Sequence, residues 1–279
     1  MVENETMKTG AGAAGAGSAD TVADNLIILT TNLHKIYDTG EVQVHALRGI
    51  DFQVSSGEMV AVMGPSGSGK TTLLNCMSGI DEPTDGEVMI RGKALYKMRD
   101  NSRTDFRAQN MGFIFQTFNL LPVLTVVENV ELPALVAGVK PGESRKRALH
   151  WVEALGLADQ SGKRPAEISG GQQQRVAIAR SLVNDPAIIW CDEPTGNLDS
   201  ENQNQVMDVL CGLNKDRGQT FVLVTHSEEV GERADRIVRM RDGLIDQDCG
   251  VTQQDDGGVE VDCDDDDTET AASDPDGGR

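Results

Sequence analysis

Four short runs are apolar at every position or nearly so: Met59–Met63, Met111–Phe115, Ala187–Cys191 and Phe221–Val224. Runs this short, bounded by turn residues, predict strands buried on both faces. Ile50-Asp51-Phe52-Gln53-Val54 alternates strictly, which predicts a strand buried on one face. Leu26–Leu29 with Leu33 predicts a strand that enters a loop at Tyr37-Asp38-Thr39-Gly40, and Glu87–Ile90 and Arg236–Met240 predict two more. Helical spacing lies between these runs. Ala148, Trp151, Val152 and Leu155 mark one helix face, Val176, Ala179, Leu182 and Val183 a second, and Val206, Val209, Leu210 and Leu213 a third. Thr125-Val126-Val127-Glu128-Asn129-Val130 opens a further helix. The sum is an α/β fold with an antiparallel β portion. Residues 97–168, crowded with charge at first and helical later, read as a helical insert.

One polar stretch stands where a buried strand meets a helix. Gly64-Pro65-Ser66-Gly67-Ser68-Gly69-Lys70-Thr71-Thr72 follows Met59–Met63 and fits the phosphate-loop pattern of spaced glycines, lysine and a hydroxyl. The glycines let the backbone wrap an anion without Cβ clashes, and loop amides with a helix N-terminus favour phosphate oxygens. In that role Lys70 reaches the β- and γ-phosphates and Thr71 places its hydroxyl on Mg²⁺.

Other polar residues end the remaining runs. Asp192 and Glu193 close an apolar strand at a sheet edge, where the first suits a magnesium ion and the second a water attacking phosphate. Strand alternation would point the two in opposite directions. Gln116 ends another strand and reads either as a metal contact or as plain loop polarity. Ser169-Gly170-Gly171-Gln172 starts a helix, offering either an anion site or a simple cap. Gly196-Asn197-Leu198-Asp199 is a turn before a helix, and His226 follows Phe221–Thr225 at a strand end where a phosphate sensor would lie. Tyr37 offers a stacking face for a base, or is an ordinary surface tyrosine.

Composition sharpens the domain limits. The net charge of −20 is carried largely by the ends: 12 acids and one base from Gln247 to Arg279, and four acids and one base from Met1 to Asn25. Residues 26–246 keep only −6, mildly acidic, which argues against a nucleic-acid surface. The Gly/Ala-rich start through residue 25 reads as a flexible leader and 247–279 as a disordered acidic tail. Nine lysines against 16 arginines, with abundant Asp, give a halophile-like balance. The five scattered cysteines show no metal spacing and read as reduced thiols in a cytoplasm. No apolar run approaches the length of a membrane span, so a membrane role needs a partner.

Taken in order, these motifs resemble the ATP-binding subunits of ABC transporters, over roughly Leu26 to Asp246. The resemblance implies a P-loop nucleotide-binding domain that binds and hydrolyses ATP with Mg²⁺. It makes Gln116 the metal-contacting glutamine, Ser169-Gly170-Gly171-Gln172 the signature, and Asp192-Glu193 the metal acid and catalytic glutamate. Asn197-Leu198-Asp199 becomes the dimer-contact loop, His226 the switch histidine and Tyr37 the adenine-stacking aromatic. Ile168 stands where leucine is commonest. The stretches Phe118–Pro122, Thr125–Pro133 and Pro194–Asp199 are similar to the branch serving lipoprotein release, macrolide export and cell-division signalling. The family resemblance implies a homodimer sandwiching ATP, bound through the helical insert around Gln116 to Pro133 to an integral-membrane permease at the cytoplasmic face of the membrane. The rival expectation is a soluble ATPase of the same fold, such as an iron–sulfur assembly protein. A non-enzymatic nucleotide-gated scaffold fits less well with Glu193 and His226 both present.

Overall fold

The structure, a computed structural model, describes residues 25–38, 40–254 and 258–263. Two sheets organise them. β1 (Leu26–Asp38), β2 (Gln43–Ser55), β4 (Asp85–Ile90) and β5 (Lys93–Ala94) form an antiparallel sheet in the order β2-β1-β4-β5. β3 (Met59–Met63), β6 (Met111–Phe115), β7 (Ile188–Asp192), β8 (Thr220–Val224), β9 (Arg236–Arg241), β10 (Leu244–Gln253) and β11 (Val259–Cys263) form the second, in the order β11-β10-β9-β3-β8-β7-β6. Its middle, from β9 to β6, is parallel.

The buried runs have side chains on both faces, and each face carries its own core. Met59, Ala61 and Met63 of β3 join Ile189, Cys191, Phe221 and Leu223 on one side. Helices α3 (Val126–Val136), α4 (Pro141–Ala154), α5 (Gly170–Leu182) and α6 (Ser200–Arg217) cover that side. Val60 and Val62 face the other way with Ile188, Trp190, Val222 and Val224. There helix α1 (Lys70–Ser78) lies between the two sheets, burying Leu73, Leu74, Cys76 and Met77. Because α1 is locked from both sides, the loop at its N-terminus is rigidly aimed.

The boundaries differ from expectation in three places. Tyr37 lies in β1, which pairs with β2 as far as Asp38, so the strand runs past the expected loop; Thr39 lies outside the described residues. The insert expected at 97–168 opens with a helix that the charge pattern does not mark, α2 (Asp100–Asn110), which buries only Phe106 among its apolar side chains; the strand expected at Met111–Phe115 follows as β6, at the edge of the main sheet. The expected disorder from Gln247 is corrected for 247–254 and 258–263. There β10 and β11 form a hairpin, with Cys249 fully buried and bonded to Cys263. The same bond corrects the expectation of reduced thiols for these two cysteines; Cys76, Cys191 and Cys211 are free. The leader at 1–24 and the tail at 264–279 lie outside the described residues. Among the described residues, no helix is long and apolar enough to cross a membrane.

Candidate active site

The loop between β3 and α1 is made possible by its glycines. Gly64 has φ +143°, and a Cβ there would stand 2.2 Å from the Met240 carbonyl oxygen. Gly69 has φ +102°, and a Cβ would meet the Ala46 carbonyl at 2.5 Å. Gly67, at φ +83°, faces open space, and Pro65 and Ser66 beside it are exposed. Gly69 is the N-cap of α1 and supplies no side-chain cap, so the amides of the first turn point into the loop uncapped. Ser68 Oγ is buried and has no hydrogen-bond partner among the described residues. Lys70, also buried, donates from Nζ to the carbonyls of Gly64 and Pro65, both at 2.9 Å. Uncapped amides, an unpartnered hydroxyl and an ammonium at one concave turn fit a phosphate chain.

The strand ends of the parallel sheet bring carboxylates to this loop. Thr71 Oγ1 donates to Asp192 Oδ1 at 3.3 Å, which puts two hard oxygen donors together. That donor set fits Mg²⁺, which takes one or two carboxylates along with phosphate oxygens. Burial pushes the Asp192 carboxyl up, and the neighbouring Glu193 charge adds to it; Thr71 and Lys70 pull the other way. Glu193 does not continue the strand. It sits at φ +49°, donates its amide to the Val224 carbonyl at 2.9 Å, and sends Oε1 to His226 Nδ1 at 2.8 Å. The divergence of the two acids therefore comes from a left-handed residue after the strand, not from strand alternation. The Glu193 carboxylate is mostly covered, while His226 stands 71% exposed at the end of β8.

Gln116 follows β6, whose Phe115 pairs with Asp192. Its carbonyl accepts from Asn197 Nδ2 at 2.9 Å, and its side-chain amide lies so close to Gly196 that a Cβ there would be 2.8 Å from Nε2. The C-terminal ends of β3, β8, β7 and β6 thus present the phosphate loop, His226, the Asp192-Glu193 pair and Gln116 in one row.

A cavity of about 580 Å³ opens beside the loop. Gly67, Gly69, Lys70, Thr71 and Thr72 line it together with Tyr37. Gln43, Val44, His45, Ala46 and Arg48 of β2 and Asp242-Gly243 of the β9–β10 turn complete it. Those last residues were not legible as site residues. They arrive through the β1–β2 register and through the Gly243 amide, which bonds the Ser68 carbonyl at 3.1 Å, and neither pairing leaves a local motif.

Ser169-Gly170-Gly171-Gln172 and Asp199 are not in that cavity. Ser169 and Gln172 close a reciprocal cap on α5, with Ser169 N to Gln172 Oε1 at 3.0 Å and Gln172 N to Ser169 Oγ at 3.3 Å. Asp199 caps α6 by accepting from the Asn202 amide at 2.9 Å, and this bond and the Asn202 side chain hold its carboxyl below the usual range. Gly170 and Gly171 lie against Leu198, Phe118 and Asn202. The chain therefore carries two separate groups, one around Lys70 and one around Ser169.

The family model described as "ABC transporter" matches residues 47–196. An uncharacterised ABC transporter ATP-binding protein of Thermotoga maritima is 50% identical over 211 residues, 76% of this chain and 90% of that protein. This chain belongs to the ABC transporter ATP-binding family. A second relative, the uncharacterised ABC transporter ATP-binding protein MJ1508 of Methanocaldococcus jannaschii, is 48% identical over 219 residues, 78% of this chain and 97% of its own. Among solved structures, the dimeric ATP-binding cassette MJ0796, bound to ADP and Pi in a post-hydrolysis state, superposes with a TM-score of 0.73. It is 41% identical and covers 79% of this chain and 97% of its own. The expected fold class is that of the ABC ATPase cassette, and the chain is an ABC ATPase, the ATP-binding subunit of an ABC transporter.

Proposed function

We propose that this ABC ATPase works as a head-to-tail homodimer that drives a separate integral-membrane permease, in the branch serving lipoprotein release, macrolide export and cell-division signalling. The observation that carries the dimer is the separation of the two anion-binding helix starts: the α1 group lines the cavity and the Ser169 group does not. A second copy supplying Ser169-Gly170-Gly171-Gln172, with Asp199 at the contact, completes each site. The dimeric state of the MJ0796 cassette supports a dimer here.

Within the site, the loop Gly64–Thr72 holds the phosphates, Lys70 neutralises the β- and γ-oxygens, and Tyr37 stacks on adenine. Thr71, Asp192 and Gln116 would hold Mg²⁺, which supplies charge neutralisation on the phosphate oxygens. Glu193 takes the proton of the attacking water as its oxygen bonds to the γ-phosphorus and the bond to the β–γ bridging oxygen breaks, releasing ADP. His226, 2.8 Å from Glu193, orients that carboxylate and senses the γ-phosphate. Dimer closure on ATP and opening after hydrolysis give a ligand-held switch, and the segment Gln116–Pro133 passes the motion to a permease at the cytoplasmic face of the membrane.

The test is Glu193→Gln. Hydrolysis should fall by about 100-fold or more, the weight of a general base, while ATP still binds and an ATP-dependent dimer accumulates in size-exclusion chromatography with light scattering. Full turnover in that variant would sink the assignment of the base.

A further inference from the structure

We infer that Lys35 and Asp81 are positioning residues for the nucleobase, holding the Tyr37 ring as a preset stacking face. This rests on the reading above that Tyr37 stacks on adenine. Tyr37 is 38% exposed on a strand end, a place where a ring would ordinarily swing between rotamers. Here two contacts fix it, one to Asp81 and one from Lys35, and Lys35 is itself held. Its hydroxyl donates to Asp81 Oδ2 at 2.7 Å. Lys35 Nζ donates to Asp81 Oδ1 at 2.7 Å and to the Glu82 carbonyl at 2.6 Å. The same ammonium stands 4.8 Å from the ring centroid, covering one face of the ring.

Tyr37 lines the nucleotide cavity, whereas Lys35 and Asp81 do not. Both act from outside the cavity, Lys35 over the ring and Asp81 at its hydroxyl, and their side chains are only 12% and 31% exposed. Burial alone would raise the Asp81 carboxyl; the bonds from Lys35 and Tyr37 outweigh it and hold the group below its ordinary range. Burial and the Asp81 bond raise the Tyr37 hydroxyl, against an opposing bond with Thr72. At neutral pH the anchor is therefore an ionised carboxylate accepting from a neutral phenol and an ammonium.

The anchor also ties base to phosphate. Asp81 follows the C-cap of α1, and its amide bonds the Asn75 carbonyl of that helix at 3.1 Å. One helix then carries the phosphate cradle at its N-terminus and, just past its C-cap, the Asp81 that anchors the base platform. A ring ordered before binding spares the nucleotide the entropy of ordering it.

The experiment compares ATP with inorganic tripolyphosphate, which reads the phosphate cradle alone, by equilibrium titration of the full chain. Tyr37→Phe, Asp81→Ala and Lys35→Met should each weaken ATP by about three- to tenfold, the range of one ordinary hydrogen bond, with tripolyphosphate affinity held. The double variant Tyr37→Phe/Asp81→Ala should bind ATP no worse than the weaker single, because both remove the same Tyr37–Asp81 bond. In turnover, Asp81→Ala should raise KM by the same factor and leave kcat in place. ATP affinity preserved in Tyr37→Phe and Asp81→Ala, with a loss in Tyr37→Ala, would overturn the network and leave stacking intact. ATP affinity preserved in Tyr37→Ala would remove the stacking reading and the inference with it. Loss of tripolyphosphate in Asp81→Ala would mean a damaged cradle, and also overturns the inference.

Discussion

At the residue scale, Asp192 and Glu193 are neighbours with different environments. Asp192 ends β7 facing the helix that carries Thr71, half-desolvated, with its carboxyl pushed up by burial. A raised carboxyl costs stability where it is ionised. The unfolded chain gives up the proton first, so folded stability falls as pH rises from the ordinary aspartate value through the raised one, and the full cost is present at neutral pH. Asp192→Asn keeps the shape and removes the charge. The nucleotide-free variant should therefore melt at a higher temperature than the parent at pH 7, with the difference shrinking as pH is lowered through that window. Its magnesium-dependent hydrolysis should fall by more than about tenfold, as expected when an oriented metal contact is lost. Calorimetry across pH with a phosphate-release assay checks both. A variant less stable at pH 7 would mean that the Thr71 bond outweighs the burial cost. Both acids were legible as a pair in the sequence because they close an apolar run. The φ of +49° that turns Glu193 toward His226 was not, since Glu is an unusual residue in the left-handed region and nothing local announces it.

At the scale of elements, buried strands were the most legible part of the fold and the C-terminal hairpin the least. Met59–Met63 and Ile188–Asp192 carry their answer in composition, because a run buried on both faces has no room for polar residues. β11 reads Val-Glu-Val-Asp-Cys, an alternation hidden inside an Asp/Gly-rich stretch, and its pairing partner is fixed by register with β10, not by spacing. α2 was hidden for the opposite reason: it sets one apolar side chain, Phe106, in the core. The Cys249–Cys263 bond closes a 14-residue separation across the hairpin. Cross-linking a loop of that size is worth about 3 kcal/mol in chain-entropy terms. Because β11 is the outermost strand, we expect the loss on reduction to be local. Cys263→Ser should speed amide exchange across Val259–Cys263 and leave β9 and β3 protected. Alkylation of the oxidised protein in denaturant should label three thiols, Cys76, Cys191 and Cys211. Five labels would show that the hairpin holds without a covalent link.

At the scale of the whole molecule, the nucleotide groups and the surface proposed for a permease lie on different parts of the chain. The nucleotide groups gather at the C-terminal ends of the parallel strands, while α3 and the loop before it present apolar side chains outward. Val123 is 73% exposed and Val136 71%, with Leu121 and Leu135 beside them in sequence. Val136 also lines a largely apolar groove of about 440 Å³, between α2, the edge strand β6 and α3, with Phe113, Phe115 and Leu132. Apolar surface left outward on a chain otherwise rich in acids calls for a partner. Phe115 lines this groove, pairs with Asp192 and precedes Gln116, so the groove abuts the strand end that carries the proposed metal contact. On the proposed reading, Glu193→Gln protein purified from membranes with ATP at high salt brings a polytopic membrane protein with it. Adding Val136→Glu, which puts a charge where an apolar contact would form, should cost that recovery, since a buried unpaired charge is among the costliest interface changes. Val136→Glu alone should keep the ATPase rate of the isolated cassette, because the side chain touches no nucleotide group. Recovery of the Glu193→Gln protein only as a self-dimer, or with soluble assembly proteins, would leave the ATPase chemistry in place and remove the permease. Equal recovery with and without Val136→Glu would keep the permease and move its docking surface off this groove.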